Sequence, residues 1–166
     1  MEPHYLCGAF VFVCDIIPAS KKLIMDNRTI SEVIESLKKT KSKEECLKKA
    51  YDILSEKYRG HRLVTYLKIH YLLLKDLNKI WGKSGFLPCT TLNYLLKNLL
   101  IKSGWFSESD IKIKWALIWF FSPHQYLSVR ISKEKSINVD LWGRAYGIKF
   151  GDYAHGLRSG SVFHSK

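Results

Sequence analysis

Residues 111–141 decide the fold, and they read IKIKWALIWFFSPHQYLSVRISKEKSINVDL. In the first eleven positions every second residue is large and apolar, and a period of two is typical of a β-strand. The apolar row predicted on one face of this strand is Ile111, Ile113, Trp115, Leu117, Trp119 and Phe121. Two shorter strands follow, at about residues 124–131 and 136–141, and the polar turn 132–135 predicts an antiparallel hairpin.

Helical patterns fill the chain ahead of these strands. Thr29 with Glu32, and Ser42 with Glu45, have the spacing of a capping box, so helices are expected to begin after Thr29 and Ser42. Apolar residues keep a helical period again over 63–81. Pro88 then precedes an apolar helix over 89–102. Helices followed by strands predict an α+β domain, with N-terminal helices packed on a C-terminal antiparallel sheet.

Size and charge narrow the possible classes of protein. The chain has 166 residues, 46% of them hydrophobic, which fits one globular domain. We expect that domain to span residues 21–154, with a loose tail over 155–166. The net charge of +12 favours acidic partners. It is spread evenly over both halves of the chain, so we expect no specific nucleic-acid site.

The N-terminal segment 1–20 contains an apolar run from Tyr5 to Ile17. The run is too short for a membrane span, and Asp15 interrupts it, so a buried element is expected. A signal or anchor is the alternative, with Pro18–Ser20 as a weak cleavage site. The spacing of the cysteines (Cys7, Cys14, Cys46 and Cys89) does not suit zinc, and we expect free thiols in a cytoplasmic protein without metal or cofactor.

Cys89 is the cysteine placed for reactivity, because the start of a helix favours the negatively charged thiolate. His124 opens the second strand of the sheet and is the candidate base, and Asp140 ends the third strand and is the candidate orienting carboxylate. The Cβ atoms of His124 and Asp140 would be about 5 Å apart if these two residues were directly opposite each other in the hairpin. That pairing requires a hairpin centred on position 132, hence an odd loop or a bulge.

The order of these three residues resembles the transglutaminase-like superfamily, a branch of the papain-like cysteine enzymes. The resemblance covers about residues 81–147 and rests on GFLPCTTLNYLLKNLL (85–100), HQYLSVR (124–130) and INVDLWG (137–143). Two positions depart from the family pattern. Tyr126 stands where a Trp is common, and Leu141 stands where a Pro often follows the Asp.

The resemblance implies a papain-like or transglutaminase-like fold and a Cys89–His124–Asp140 triad. It implies an acyl-enzyme on Cys89 formed from a peptide or carboxamide bond, with no cofactor. The backbone N–H of Cys89 is one oxyanion donor to expect, and Trp81 and Lys83 are candidates for the second. We favour hydrolysis over transfer to an amine. The alternatives are a catalytically silent domain that binds an acidic protein, and a basic nucleic-acid-binding domain.

Overall fold

The computed structural model describes residues 28–83, 85–119 and 122–156, and its architecture is the α+β arrangement that the sequence predicts. The helices are Ile30–Lys38 (α1), Lys43–Lys57 (α2), Arg62–Leu67 (α3), Leu77–Trp81 (α4) and Cys89–Lys102 (α5), with 3₁₀ turns at Ile69–Leu73, Glu108–Asp110 and Gly143–Tyr146. The strands are Tyr58–Arg59 (β1), Gly85–Phe86 (β2), Ile111–Ile118 (β3), Ser122–Arg130 (β4) and Ser136–Val139 (β5). The expectations for Tyr5–Ile17 and for residues 157–166 lie outside the described residues.

The first two helices begin at the predicted caps. The Thr29 side chain accepts from the Glu32 backbone, while the Glu32 carboxylate accepts from the Thr29 N–H, which is a complete capping box. Ser42 caps α2 by accepting from the Glu45 N–H at 3.1 Å. None of the described helices is long and apolar enough to cross a bilayer.

The helical run predicted over 63–81 is broken into three short pieces. Asp76 causes one break, since its carboxylate accepts from the N–H groups of Asn78 and Lys79 and so starts α4 afresh. Leu67 and Leu73 are 80% and 81% exposed, so part of the apolar period faces away from the core. Local capping therefore overrides the hydrophobic pattern here.

β1 and β2 form a short parallel pair, and the larger, three-stranded sheet is antiparallel, in the order β3-β4-β5. Leu127 pairs with Val139 and Arg130 with Ser136, so 131–135 is a five-residue loop centred on position 133. The loop is odd, but the expected centre at 132 is wrong, because the Ile131 N–H bonds the Lys135 carbonyl and closes the loop there. His124 and Asp140 are therefore diagonal neighbours, offset by two residues. An even offset keeps both side chains on one face of the sheet.

The apolar row of β3 is only partly covered in the described structure. Ile111 is buried, whereas Ile113, Trp115 and Leu117 are about half exposed or more. The reason is the edge position of β3, since α5 packs against β4, the central strand. The core itself forms between α1, α2, α5 and the inner positions of β4 and β5.

A segment from Gly151 to Gly156, called the strap below, crosses from one edge of the sheet to the other. The Gly151 N–H donates to the Asn138 carbonyl of β5, and the Gly156 N–H donates to the Leu117 carbonyl of β3. The strap shows that ordered chain extends to Gly156, beyond the predicted domain boundary at residue 154.

Candidate active site

Cys89 is the first residue of α5, as the sequence predicts, and its side chain is half-buried. Pro88 precedes it with extended backbone (φ −61°, ψ 156°) and supplies no side-chain cap. The first N–H groups of the helix thus lack an intrahelical partner and point towards the Cys89 end. Such N–H groups are suited to an anion, either a thiolate or an oxyanion.

His124 lies in β4 with only 2% of its surface exposed. Its Nε2 is 2.7 Å from Asp140 Oδ2, and because a carboxylate only accepts, Nε2–H is the donor. The ring also interacts with the Cys89 side chain, by a hydrogen bond and by charge. With Nε2 committed to Asp140, Nδ1 is the nitrogen left for the thiol. The structure thus brings the three predicted residues together.

The charge state of His124 follows from these contacts. Burial alone would lower the pKa of the imidazole, but the hydrogen bond to Asp140, and then the interactions with Cys89, raise that pKa to about 9. His124 is therefore an imidazolium at neutral pH. A proton on this ring is available for a leaving group.

Asp140 is 1% exposed and is held by three donors. Its Oδ1 accepts from the Gly143 N–H at 2.7 Å, and its Oδ2 accepts from the Ala154 N–H at 2.9 Å as well as from His124. A buried carboxylate needs such donors to stay charged. The strap thus contributes one of the three bonds that hold the carboxylate.

Gly143 has to be a glycine because it lies directly against that carboxylate. A Cβ built at Gly143 would be 2.5 Å from Asp140 Oδ2, closer than such atoms approach. The close approach is also what brings the Gly143 N–H within 2.7 Å of Oδ1.

Gly143→Ala should therefore destabilise the fold by about 1–3 kcal/mol, the usual cost of overpacking a dense interior. Gly82→Ala is the matched control, since its Cβ would meet nothing closer than 3.4 Å. Urea unfolding of both variants measures the difference. Equal midpoints for Gly143→Ala and the wild type would contradict the assigned contact.

Aromatic rings pack around the buried His124–Asp140 pair. The Trp142 ring lies 5.2 Å from the His124 ring, and Gly60 packs so closely behind Trp142 that a Cβ there would clash with the indole. Tyr126 stacks on Tyr153 of the strap at 4.1 Å. Tyr126 therefore helps to hold the strap against β4.

The two side chains predicted as candidates for the second oxyanion donor have other partners in the structure. The Trp81 indole N–H donates to the Arg28 carbonyl at 2.8 Å, so that donor is already used. The Lys83 ammonium lies 5.6 Å from the centre of the Tyr71 ring. The Cys89 backbone N–H lies at the start of α5, where the sequence predicts it.

Sequence reasoning missed several supporting residues: Gly60, Gly143, Tyr153 and Ala154. Gly143 carried a signal, since it lies three residues after Asp140, at the spacing of an Asp-capped turn. Ala154 acts through its backbone N–H, and a backbone donor leaves no trace in the residue type. Within the described ranges, no three His, Cys, Asp or Glu side chains come together as metal ligands.

No family model matches the chain, no curated protein matches it, and no solved structure matches it. The geometry of Cys89, His124 and Asp140 is therefore the observation that bears on function.

Proposed function

We propose that the protein is a transglutaminase-like cysteine enzyme that cleaves a peptide or carboxamide bond through a thioester on Cys89. The observation that carries the proposal is the buried 2.7 Å bond between His124 and Asp140, formed by a ring that also interacts with Cys89. The order of the three residues along the chain adds the family resemblance. If His124 and Asp140 served only to stabilise the hairpin, the half-buried thiol of Cys89 beside them would have no role.

In the first half of the reaction, the Cys89 thiolate attacks the carbonyl carbon and forms a tetrahedral oxyanion. The Cys89 backbone N–H at the start of α5 is positioned to stabilise that oxyanion. The intermediate collapses, the C–N bond breaks, and His124 gives its proton to the leaving amine. The product is a thioester on Cys89 and a neutral His124.

In the second half, neutral His124 takes a proton from water as the water oxygen attacks the thioester. The C–S bond breaks, the acid leaves, and the thiolate and the imidazolium are restored. Asp140 keeps the ring in one orientation through both halves. Hydrolysis is the favoured outcome, while a primary amine in place of water would give transfer.

The test is a peptide ester whose acyl group is followed by mass spectrometry. We expect a thioester adduct on Cys89 and none on Cys46, because Cys46 is fully buried and burial raises the pKa of its thiol. Added primary amine then divides the acyl group between free acid and amide. A chain that is folded but forms no adduct at Cys89 would instead be a silent interaction domain.

A further inference from the structure

The exposed part of β3 carries a row of three large apolar side chains, Ile113, Trp115 and Leu117, called the β3 row below. They are 49%, 61% and 55% exposed in the described structure. Directly opposite residues of an antiparallel pair share a face, and Ile113 lies opposite Leu127, which is fully buried. The β3 row therefore continues the apolar face of the sheet past the point where the core covers it.

The backbone of β3 is open on the side away from β4. Gly156 pairs with β3 at Ile118, at the end of the strand, and the described residues place no neighbouring strand along 111–116. An open edge with apolar side chains is a site at which another extended chain can add as a strand.

Charge indicates which chain would fit. Lys112 and Lys114 alternate with the β3 row and are exposed on the opposite face of the strand. A second copy is disfavoured, since pairing would bring together two chains of net charge +12. Gly156 also occupies part of the edge that a symmetric partner would use.

The surface adjoins the candidate active site. Ala116 lies directly opposite His124, so β3 is one strand spacing, about 4.8 Å, from the strand that carries the catalytic base. His124 therefore shares the sheet face of Lys112 and Lys114, opposite to the face of the β3 row. A polypeptide added at the open edge of β3 would lie two strand spacings, about 10 Å, from β4, a distance that about three residues of extended chain can span.

We propose that β3 binds an extended acidic segment of the polypeptide substrate as an added strand. Cross-strand neighbours share a face, so apolar residues at alternate positions would pack on the β3 row, with carboxylates between them near Lys112 and Lys114. This inference rests on the proposed function, because only an enzyme would have a substrate to bind here. The expected substrate has a segment in which apolar and acidic residues alternate.

The binding test uses the full chain with Cys89→Ala and a fluorescent peptide in which valine alternates with glutamate. Trp115→Glu should weaken binding at least tenfold, because it removes an aromatic anchor and repels the carboxylates. Leu73→Glu is the matched control, since Leu73 is a highly exposed apolar residue away from β3. A peptide with lysine in place of glutamate should bind at least tenfold more weakly. Equal affinity of Trp115→Glu and the control would overturn the proposal.

Two further measurements separate this inference from the proposed function. A small acyl ester should react with Cys89 equally fast in the wild type and in Trp115→Glu, whereas the same ester joined to the peptide should react more slowly in Trp115→Glu. Ester reaction without peptide binding would overturn the surface alone. Peptide binding at β3 without any reaction at Cys89 would overturn the enzyme and leave the surface standing.

Other occupants of the β3 row give distinct results. A dimer in sedimentation that Trp115→Glu dissociates would identify a second copy and overturn the peptide proposal. Hydroxyl-radical footprinting that finds Trp115 protected in the monomeric full chain would show that the chain itself covers the row, with the same consequence.

Discussion

Replacing His124 with Ala should slow acylation of Cys89 by a peptide ester at least about a hundredfold at pH 7, the usual cost of removing a positioned acid or base. The variant loses both the imidazolium beside the thiol and the proton donor for the leaving group. The time course of adduct mass measures the rate.

His70→Ala is the matched control, because His70 is an exposed histidine whose ring packs on Tyr71. It should acylate at the wild-type rate. Added imidazole should restore part of the activity of His124→Ala, since it can occupy the space that the ring leaves. Wild-type acylation by a folded His124→Ala protein would exclude the triad.

Asp140→Asn should slow acylation by about a hundredfold to ten-thousandfold, because an amide can present its NH₂ to Nε2 and so favour the wrong tautomer. The hydrogen bond to Asp140 is the largest of the influences that raise the pKa of His124, and the interactions with Cys89 add to it. Removing the charge of Asp140 should therefore lower the pKa of His124. An NMR titration of the ring should report a pKa of about 9 in the wild type and a lower pKa in the variant.

Asp152→Asn is the control for this change, since Asp152 is a strap carboxylate that accepts from the Tyr153 N–H. It should leave the titration of His124 in place. An unchanged His124 titration in Asp140→Asn would show that the bond to Asp140 does not set the charge of the ring.

The free energy of unfolding should depend on pH through the proton on His124. The folded state holds it up to about pH 9, whereas the unfolded chain loses it near pH 6.5, so its stabilising contribution is complete below about pH 6.5 and declines as the pH rises to about 9. Asp140→Asn should reduce that decline in urea unfolding measured across this range.

The sequence predicted the order of the site residues, the helix start at Cys89 and a strand at His124. Asp140, predicted to end the third strand, lies just after β5, and β4 begins two residues before His124. Periodicity located β3 and β4, and Pro88 located the start of α5. The register of the hairpin could not be predicted from the sequence, because it depends on the hydrogen bond from the Ile131 N–H to the Lys135 carbonyl. Backbone groups of this kind occur in nearly every residue, so the residue type does not indicate which of them will pair.

The exposure of the β3 row was equally hidden from the sequence. A period of two shows which side chains share a face, but it does not show whether another element covers that face. Trp115 alternates as a core residue would, yet it lies on an edge strand with more than half of its surface exposed. The alternation of side chains along a strand depends only on neighbouring residues, whereas the burial of one face of the strand depends on how helices and sheet pack together.

The bond from Ala154 to Asp140 also sets the time at which the site can first exist in a newly made chain. During synthesis the helix that carries Cys89 and the hairpin that carries His124 leave the ribosome before the strap does. Domains emerge from the N-terminus, and contacts between distant residues form late. The carboxylate receives its third donor only after Ala154 has emerged, so a nascent chain contains the thiol before Asp140 is fully held. If the proposed triad activates Cys89, we expect the thiol to gain that reactivity only after the strap has been synthesised.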